Sequence, residues 1–108
     1  MAIELPEVIA RYIETVNSNE ADALVAGFSG TATVHDEGRT YEGTAAISKW
    51  MAEAKAKYNY TIEPLDAVTR DDRTHVTARL TGSFPGSPIQ LEFIFELERN
   101  TIRSLEIH

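Results

Sequence analysis

The sequence contains no cysteine, which excludes disulfide bonds, thiolate nucleophiles and cysteine-ligated zinc. It also lacks any apolar run approaching the roughly 20 residues of a membrane-spanning helix. Basic residues are few, since ten Lys and Arg oppose seventeen Asp and Glu for a formal net charge of −7. Nucleic acids and anionic membranes attract basic patches, so we expect neither as a partner.

The remaining composition is that of an ordinary globular protein. The first six residues lack the charged and apolar regions of a signal peptide, so we expect a cytoplasmic protein. Hydrophobic residues make up 43% of the 108 residues and charged residues 25%. This length and composition predict a single domain over residues 1–108.

Hydrophobic spacing predicts three helices in the N-terminal half. After Pro6, apolar side chains recur with helical spacing as far as Val16, and polar residues 17–19 end the helix. A short second helix is predicted over about 20–28. A third helix follows Gly43, with Thr44 as its N-cap. Its apolar stripe consists of Ile47, Trp50, Met51, Ala54 and Tyr58.

Alternation of period two predicts the strands. Residues 31–42 form a hairpin that turns at Glu37-Gly38. From Tyr60 onward the same alternation predicts four more strands, at about 60–69, 73–82, 89–98 and 101–107. Strands with one apolar face, covered by helices on that face, indicate an α+β domain.

Asp36 is the candidate functional residue because of its place in this alternation. Ala32, Val34 and Asp36 share the apolar face of their strand, whereas His35 lies on the other face. A carboxylate on the core side is costly unless it is hydrogen-bonded, paired or used in chemistry. Asp36 is therefore a candidate general base, and the alternative is a turn-capping residue that accepts the amides of Glu37 and Gly38.

Two further groups of side chains were candidates for a site. The aromatic residues either line an apolar ligand site or are ordinary core residues. The three histidines, His35, His75 and His108, lack metal-ligand spacing, so we expect no metal.

The order of elements, with particular residues, resembles a known family. The matching segments are 11–13, Asn17, Phe28, 32–36, 41–47 and Trp50. They resemble the NTF2-like superfamily, in its SnoaL-like and ketosteroid-isomerase-like branch, over essentially the whole chain. The resemblance implies a cone-shaped, cystatin-like α+β fold with three N-terminal helices on a strongly curved, mostly antiparallel sheet. It also implies a ligand cavity at the open end of the cone and a homodimer through the sheet face.

The resemblance also implies roles for individual residues. Asp36 matches the base of ketosteroid isomerases, and Tyr12 matches the tyrosine that donates a hydrogen bond to the developing oxyanion. The second oxyanion donor of that family, a protonated aspartic acid, falls at Phe93, or at Leu91 if the register slips by two, and neither residue can donate. The residues expected to line the pocket are Phe28, Val34, Trp50, Tyr58, Leu91, Phe93 and Phe95.

Two classes of function follow from these expectations. The first is a cofactor-free isomerase or lyase, in which Asp36 removes a proton next to the carbonyl of a small hydrophobic substrate and Tyr12 stabilises the enolate. The alternative is a module on the same fold that binds a hydrophobic ligand, or only dimerises, without chemistry. The expected dimer face carries the mixed side chains Thr77, Arg79, Gln90, Glu92, Ile94 and Glu96.

Overall fold

A computed structural model describes residues 4–18 and 25–108 of the chain. Its two α-helices and six strands follow in the order α1 Glu7–Asn17, β1 Phe28–Asp36, β2 Arg39–Glu42, α2 Gly43–Tyr58, β3 Thr61–Arg70, β4 Arg73–Thr81, β5 Ile89–Glu98 and β6 Thr101–Ile107. A single 3₁₀ turn, Val25–Gly27, precedes β1. Within the described ranges, no helix is long and apolar enough to cross a membrane.

The six strands form one curved sheet in the order β2-β1-β6-β5-β4-β3. Every neighbouring pair is antiparallel except β1 and β6, which run parallel. The predicted α+β class and the predicted strands are therefore confirmed, with one parallel pairing in a mostly antiparallel sheet. The outer sheet face carries polar side-chain contacts, including Arg79 to Glu63 at 3.2 Å and His75 to Glu92 at 3.5 Å. The predicted homodimer would use this polar face.

The prediction of three N-terminal helices was wrong for the part of the chain that the structure describes, which has two. Most of the predicted second helix, residues 20–24, lies outside the described residues. Its last residue, Phe28, instead begins β1, where it pairs with Ile102 of β6. Pairing with a distant strand overrides the local helical spacing here.

The hairpin turn and the start of α2 show how the backbone leads into the site. Glu37 and Gly38 have φ angles of 52° and 76°, as a tight two-residue hairpin with two left-handed positions requires. The predicted turn is confirmed. Helix α2 begins at Gly43 with Glu42 as its N-cap, so the prediction of Thr44 as the cap was wrong. The short hairpin places the end of β1 beside α2.

The core lies between α1 and the concave face of the sheet. Ile9, Tyr12, Ile13 and Val16 form the buried stripe of α1. Asn17, at the end of α1, donates its amide N–H to the carbonyl of Ile62 at 2.9 Å and accepts the Ile62 N–H at 2.7 Å. This two-way bond fixes the helix to β3, since both partners lose a hydrogen bond if the helix shifts.

Candidate functional site

A cavity of about 400 Å³ opens beside the hairpin turn, within the size range of small-molecule sites. It is enclosed by the end of β1, the middle and end of α2, the β4–β5 loop and the adjoining parts of the strands. Its walls contain two acidic side chains and are otherwise apolar or aromatic. The lining residues are Asp36, Glu37, Trp50, Ala54, Tyr58, Tyr60, Leu80, Phe84, Pro85, Ile89, Leu91, Phe93 and Ile107.

Asp36 is the half-buried carboxylate of this cavity. The indole Nε1–H of Trp50 donates a hydrogen bond to its Oδ2 at 3.0 Å. Burial raises the pKa of Asp36, the Trp50 bond lowers it, and the charge of Glu37 raises it, so that the net shift is upward. The backbone N–H of Glu37 also lowers this pKa, so a turn-capping contact exists beside the cavity-facing one. The result is a carboxylate more basic than one in water, held by a rigid donor.

The indole that holds Asp36 is itself fixed by packing. Trp50 is 4% exposed, and the ring of Tyr41 packs against it with 6.0 Å between ring centroids. Because α2 and β2 place these two rings, the direction of the Nε1–H toward the carboxylate is set by regular secondary structure. Such support preorganises the group that it holds.

Tyr12 lies behind the cavity wall and is not among its lining residues. Its ring packs edge-to-face against Phe28 at 6.1 Å and Phe95 at 5.5 Å. Within the described part of the chain its buried hydroxyl has no hydrogen-bond partner. Burial raises the pKa of Tyr12 well above its ordinary value, and the charges of Tyr60 and Asp36 add to this. The tyrosine therefore lies within electrostatic reach of Asp36 but outside the cavity surface.

Tyr60 lines the cavity and was not singled out from the sequence. It is 6% exposed, and its hydroxyl donates to the sulfur of Met51 at 3.6 Å. Burial raises the pKa of Tyr60, and the charge of Asp36 raises it further. A thioether is a weak acceptor, so a carbonyl or enolate oxygen would compete well for this proton. The available sequence signal was its position where the hydrophobic period changes from 3.6 to 2.

Side chains from three segments of the chain meet at the mouth of the cavity. Tyr58, the last residue of α2, donates its hydroxyl to Glu37 at 3.1 Å. Its ring lies edge-to-face against Phe84 of the β4–β5 loop, with 5.8 Å between centroids. A continued strand would put Glu37 on the face opposite Asp36. The left-handed backbone at Glu37 ends the alternation and brings both carboxylates to one cavity.

The structure brings together some of the residues expected to line the pocket and leaves others in the core. Asp36, Trp50, Tyr58, Leu91 and Phe93 lie in the cavity wall. The other three expected residues are buried away from the wall: Phe28, Val34 and Phe95. Alternation identifies one face of a strand, but the cavity occupies only one end of that face, and α1 covers the rest.

The remaining candidates lie away from the cavity. The ring of His35 makes a hydrogen bond with Thr40 at 3.0 Å on the exposed side of the hairpin. His75 faces Glu92, and the imidazole of His108 is 3.2 Å from Glu106. Over residues 4–18 and 25–108, no three His, Asp or Glu side chains cluster closely enough to hold a metal ion.

Comparisons with known proteins agree with this architecture. The profile of the SnoaL-like domain family matches residues 9–101. A protein from Sinorhizobium meliloti described as a "putative polyketide cyclase" is 36% identical, with a TM-score of 0.93 over 96% of this chain and 95% of that one. No curated protein matches the sequence significantly.

Two more distant structures share the fold. One is a protein with a ketosteroid isomerase-like fold from Catenulispora acidiphila, solved in complex with trimethylamine. It is 21% identical, with a TM-score of 0.85 over 97% of this chain and 86% of that one. The other is SalBIII, an epoxide hydrolase/cyclase-like enzyme with a role in pyran ring formation in salinomycin. It is 24% identical, with a TM-score of 0.75 over 94% and 86% of the two chains.

Proposed function

Because this chain belongs to the SnoaL-like domain family and has an acidic group in an apolar cavity, we propose that it is a cofactor-free enzyme acting on a small hydrophobic carbonyl compound. Asp36 removes a proton from the carbon next to the carbonyl. In an isomerisation the protonated Asp36 returns this proton to another carbon of the enolate, and in a ring closure it gives the proton to the alkoxide that forms when the enolate carbon attacks a second carbonyl. The observation that carries this proposal is the half-buried Asp36 carboxylate, oriented by Trp50 at 3.0 Å in a wall that is apolar or aromatic apart from Glu37.

The environment of Asp36 suits general-base chemistry. A base works best when its pKa approaches the working pH, and burial raises the pKa of this carboxylate in that direction. Tyr60 lines the same wall, and its hydroxyl would have to leave its weak bond to the buried Met51 in order to donate to the enolate oxygen. Tyr12, the donor expected from the family resemblance, would then act from behind the wall through electrostatics.

The apolar side chains of Leu91 and Phe93 on β5 limit which substrates the proposed enzyme could convert. Leu91 and Phe93 line the cavity. The family resemblance puts the second oxyanion donor of the isomerases at Phe93, or at Leu91 if the register slips by two. Loss of one such donor costs about 2.7–4 kcal/mol of barrier. The substrate must therefore form its enolate easily, as a 1,3-dicarbonyl compound does. The name of the Sinorhizobium meliloti relative supports this class, because cyclisation of a polyketide begins with such a carbon acid.

The same apolar positions favour a second candidate function, which is binding of a hydrophobic ligand without chemistry. In this alternative Asp36 orients the ligand, and Leu91 and Phe93 only contribute contact area. The two functions differ in one measurable property, the exchange of substrate protons with solvent.

The test is proton exchange from a small 1,3-diketone in deuterated water, followed by NMR with and without protein. Asp36→Asn should abolish catalysed exchange, because the amide is not a base. Its thermal stability should equal or exceed that of the wild type, since a partly desolvated charge is removed. Asp66→Asn is the matched control, because Asp66 is an exposed carboxylate on β3 outside the cavity. Exchange that survives Asp36→Asn would exclude Asp36 as the base.

A further inference from the structure

The charge of the cavity wall is entirely negative. Asp36 and Glu37 are its two charged residues, and no Lys, Arg or His is among the lining side chains. Neither carboxylate forms a salt bridge with any residue in the described ranges. Buried or half-buried charges are usually paired, and the donors to Asp36 are a neutral indole and a backbone amide. The wall therefore presents negative charge to a ligand and no positive charge.

The aromatic walls are suited to bind a cation. Trp50, Tyr58, Tyr60, Phe84 and Phe93 all line the cavity. An ammonium group is attracted to the face of an aromatic ring, most strongly to that of tryptophan. Because the Trp50 N–H donates to a carboxylate, its ring gains electron density and attracts a cation more strongly.

Two lysines of the chain already use rings of this wall. The ammonium of Lys55 lies 5.0 Å from the Tyr60 ring centroid, and that of Lys57 lies 5.0 Å from the Tyr58 ring centroid. Neither lysine lines the cavity, so both act from outside it. Tyr58 and Tyr60 each engage a lysine, Phe93 stacks on Phe95, and Phe84 packs against Tyr58. Trp50 is therefore the lining ring best suited to a cationic ligand.

We propose that the cavity binds small hydrophobic ammonium ions, with Asp36 as the counter-ion and Trp50 as the principal cation–π ring. The net charge of −7 favours the approach of cations to the protein. The inference uses the cavity of the proposed enzyme but not its reaction. A bound ammonium ion pairs with the Asp36 carboxylate and occupies the cavity, so such ions should inhibit proton exchange.

The test compares three ligands of similar shape by isothermal titration calorimetry with the wild-type protein: benzyltrimethylammonium, its neutral carbon isostere and a benzyl carboxylate. The cation should bind about tenfold more tightly than the neutral isostere, and the carboxylate more weakly than either. Equal or tighter binding of the neutral isostere would overturn the proposal without the need for any variant.

Two variants then locate the cation. Asp36→Asn should reduce the preference for the cation to nearly equal affinities, whereas the exposed control Asp66→Asn should retain it. An unchanged preference in Asp36→Asn would show that Asp36 is not the counter-ion. If proton exchange depends on Asp36 but the cation fails to bind or to inhibit, the enzyme proposal stands and this inference fails.

Discussion

Replacing Trp50 with phenylalanine tests the link between the indole and the charge of Asp36. The substitution removes the Nε1–H that lies 3.0 Å from Asp36 Oδ2, while it keeps an aromatic ring at a position that is 4% exposed. A hydrogen bond to a charged group contributes about 1.5–3 kcal/mol. Asp36 is only half-buried, so water replaces part of the lost bond and the lower end of this range applies, about 1.5 kcal/mol.

The sign of the pH dependence follows from which form of Asp36 is stabilised. The indole bond favours the carboxylate, so its removal raises the folded-state pKa of Asp36 further. When folding raises the pKa of an acid, the free energy of unfolding decreases as the pH rises from the pKa of the unfolded state to that of the folded state. Trp50→Phe therefore loses additional folding stability when Asp36 is ionised, but not when Asp36 is protonated.

Urea unfolding at about pH 8 and about pH 4 measures this difference. Trp50→Phe should lose more stability at the higher pH, and only the packing cost of the smaller ring should remain at the lower pH. Ile47→Val in the same helix is the control, because Ile47 is fully buried and loses about 0.5–1.5 kcal/mol of packing energy at any pH. An equal loss for Trp50→Phe at both pH values would refute the proposed coupling.

Two further predictions concern the frame of the site. Gly82→Ala should destabilise the protein by about 1–3 kcal/mol, because the new Cβ would lie 2.6 Å from the Tyr58 carbonyl oxygen. Gly30→Ala is the control, because its new Cβ would meet no atom within 4 Å. Thermal unfolding of the two variants measures the difference. Asn17→Asp should lower the free energy of unfolding by about 1–3 kcal/mol, because the variant loses the donor to the Ile62 carbonyl. Glu14→Gln, at an exposed position of the same helix, is the control. Equal melting temperatures for the two variants would contradict the prediction.

The sequence predicted the fold well where one pattern dominates. Period-two alternation predicted β3 to β6 to within about two residues, and the Glu37-Gly38 turn followed from turn chemistry. The assignment of Phe28 to a helix failed because parallel pairing with β6 decides its conformation. Such pairing is contributed by residues more than seventy positions away, and no local pattern reveals it.

The site was less predictable than the fold because cavities form at the ends of elements. Alternation indicated that Asp36 faces inward, but it could not tell Phe93, in the cavity wall, from Phe95, two residues later and fully buried. Loop residues such as Phe84 carry no periodicity, so their presence in the wall follows from tertiary structure alone.

The position of Glu37 separates the possible roles of the two carboxylates. A continued strand would send Glu37 to the outer face, but its φ of 52° turns it to the mouth, where it accepts a hydrogen bond from Tyr58 at 3.1 Å. Glu37 is exposed, whereas Asp36 is half-buried and desolvation raises its pKa. The charge of Glu37 raises the pKa of Asp36 further. Glu37 therefore acts through its charge on Asp36, and Asp36 is the proposed base.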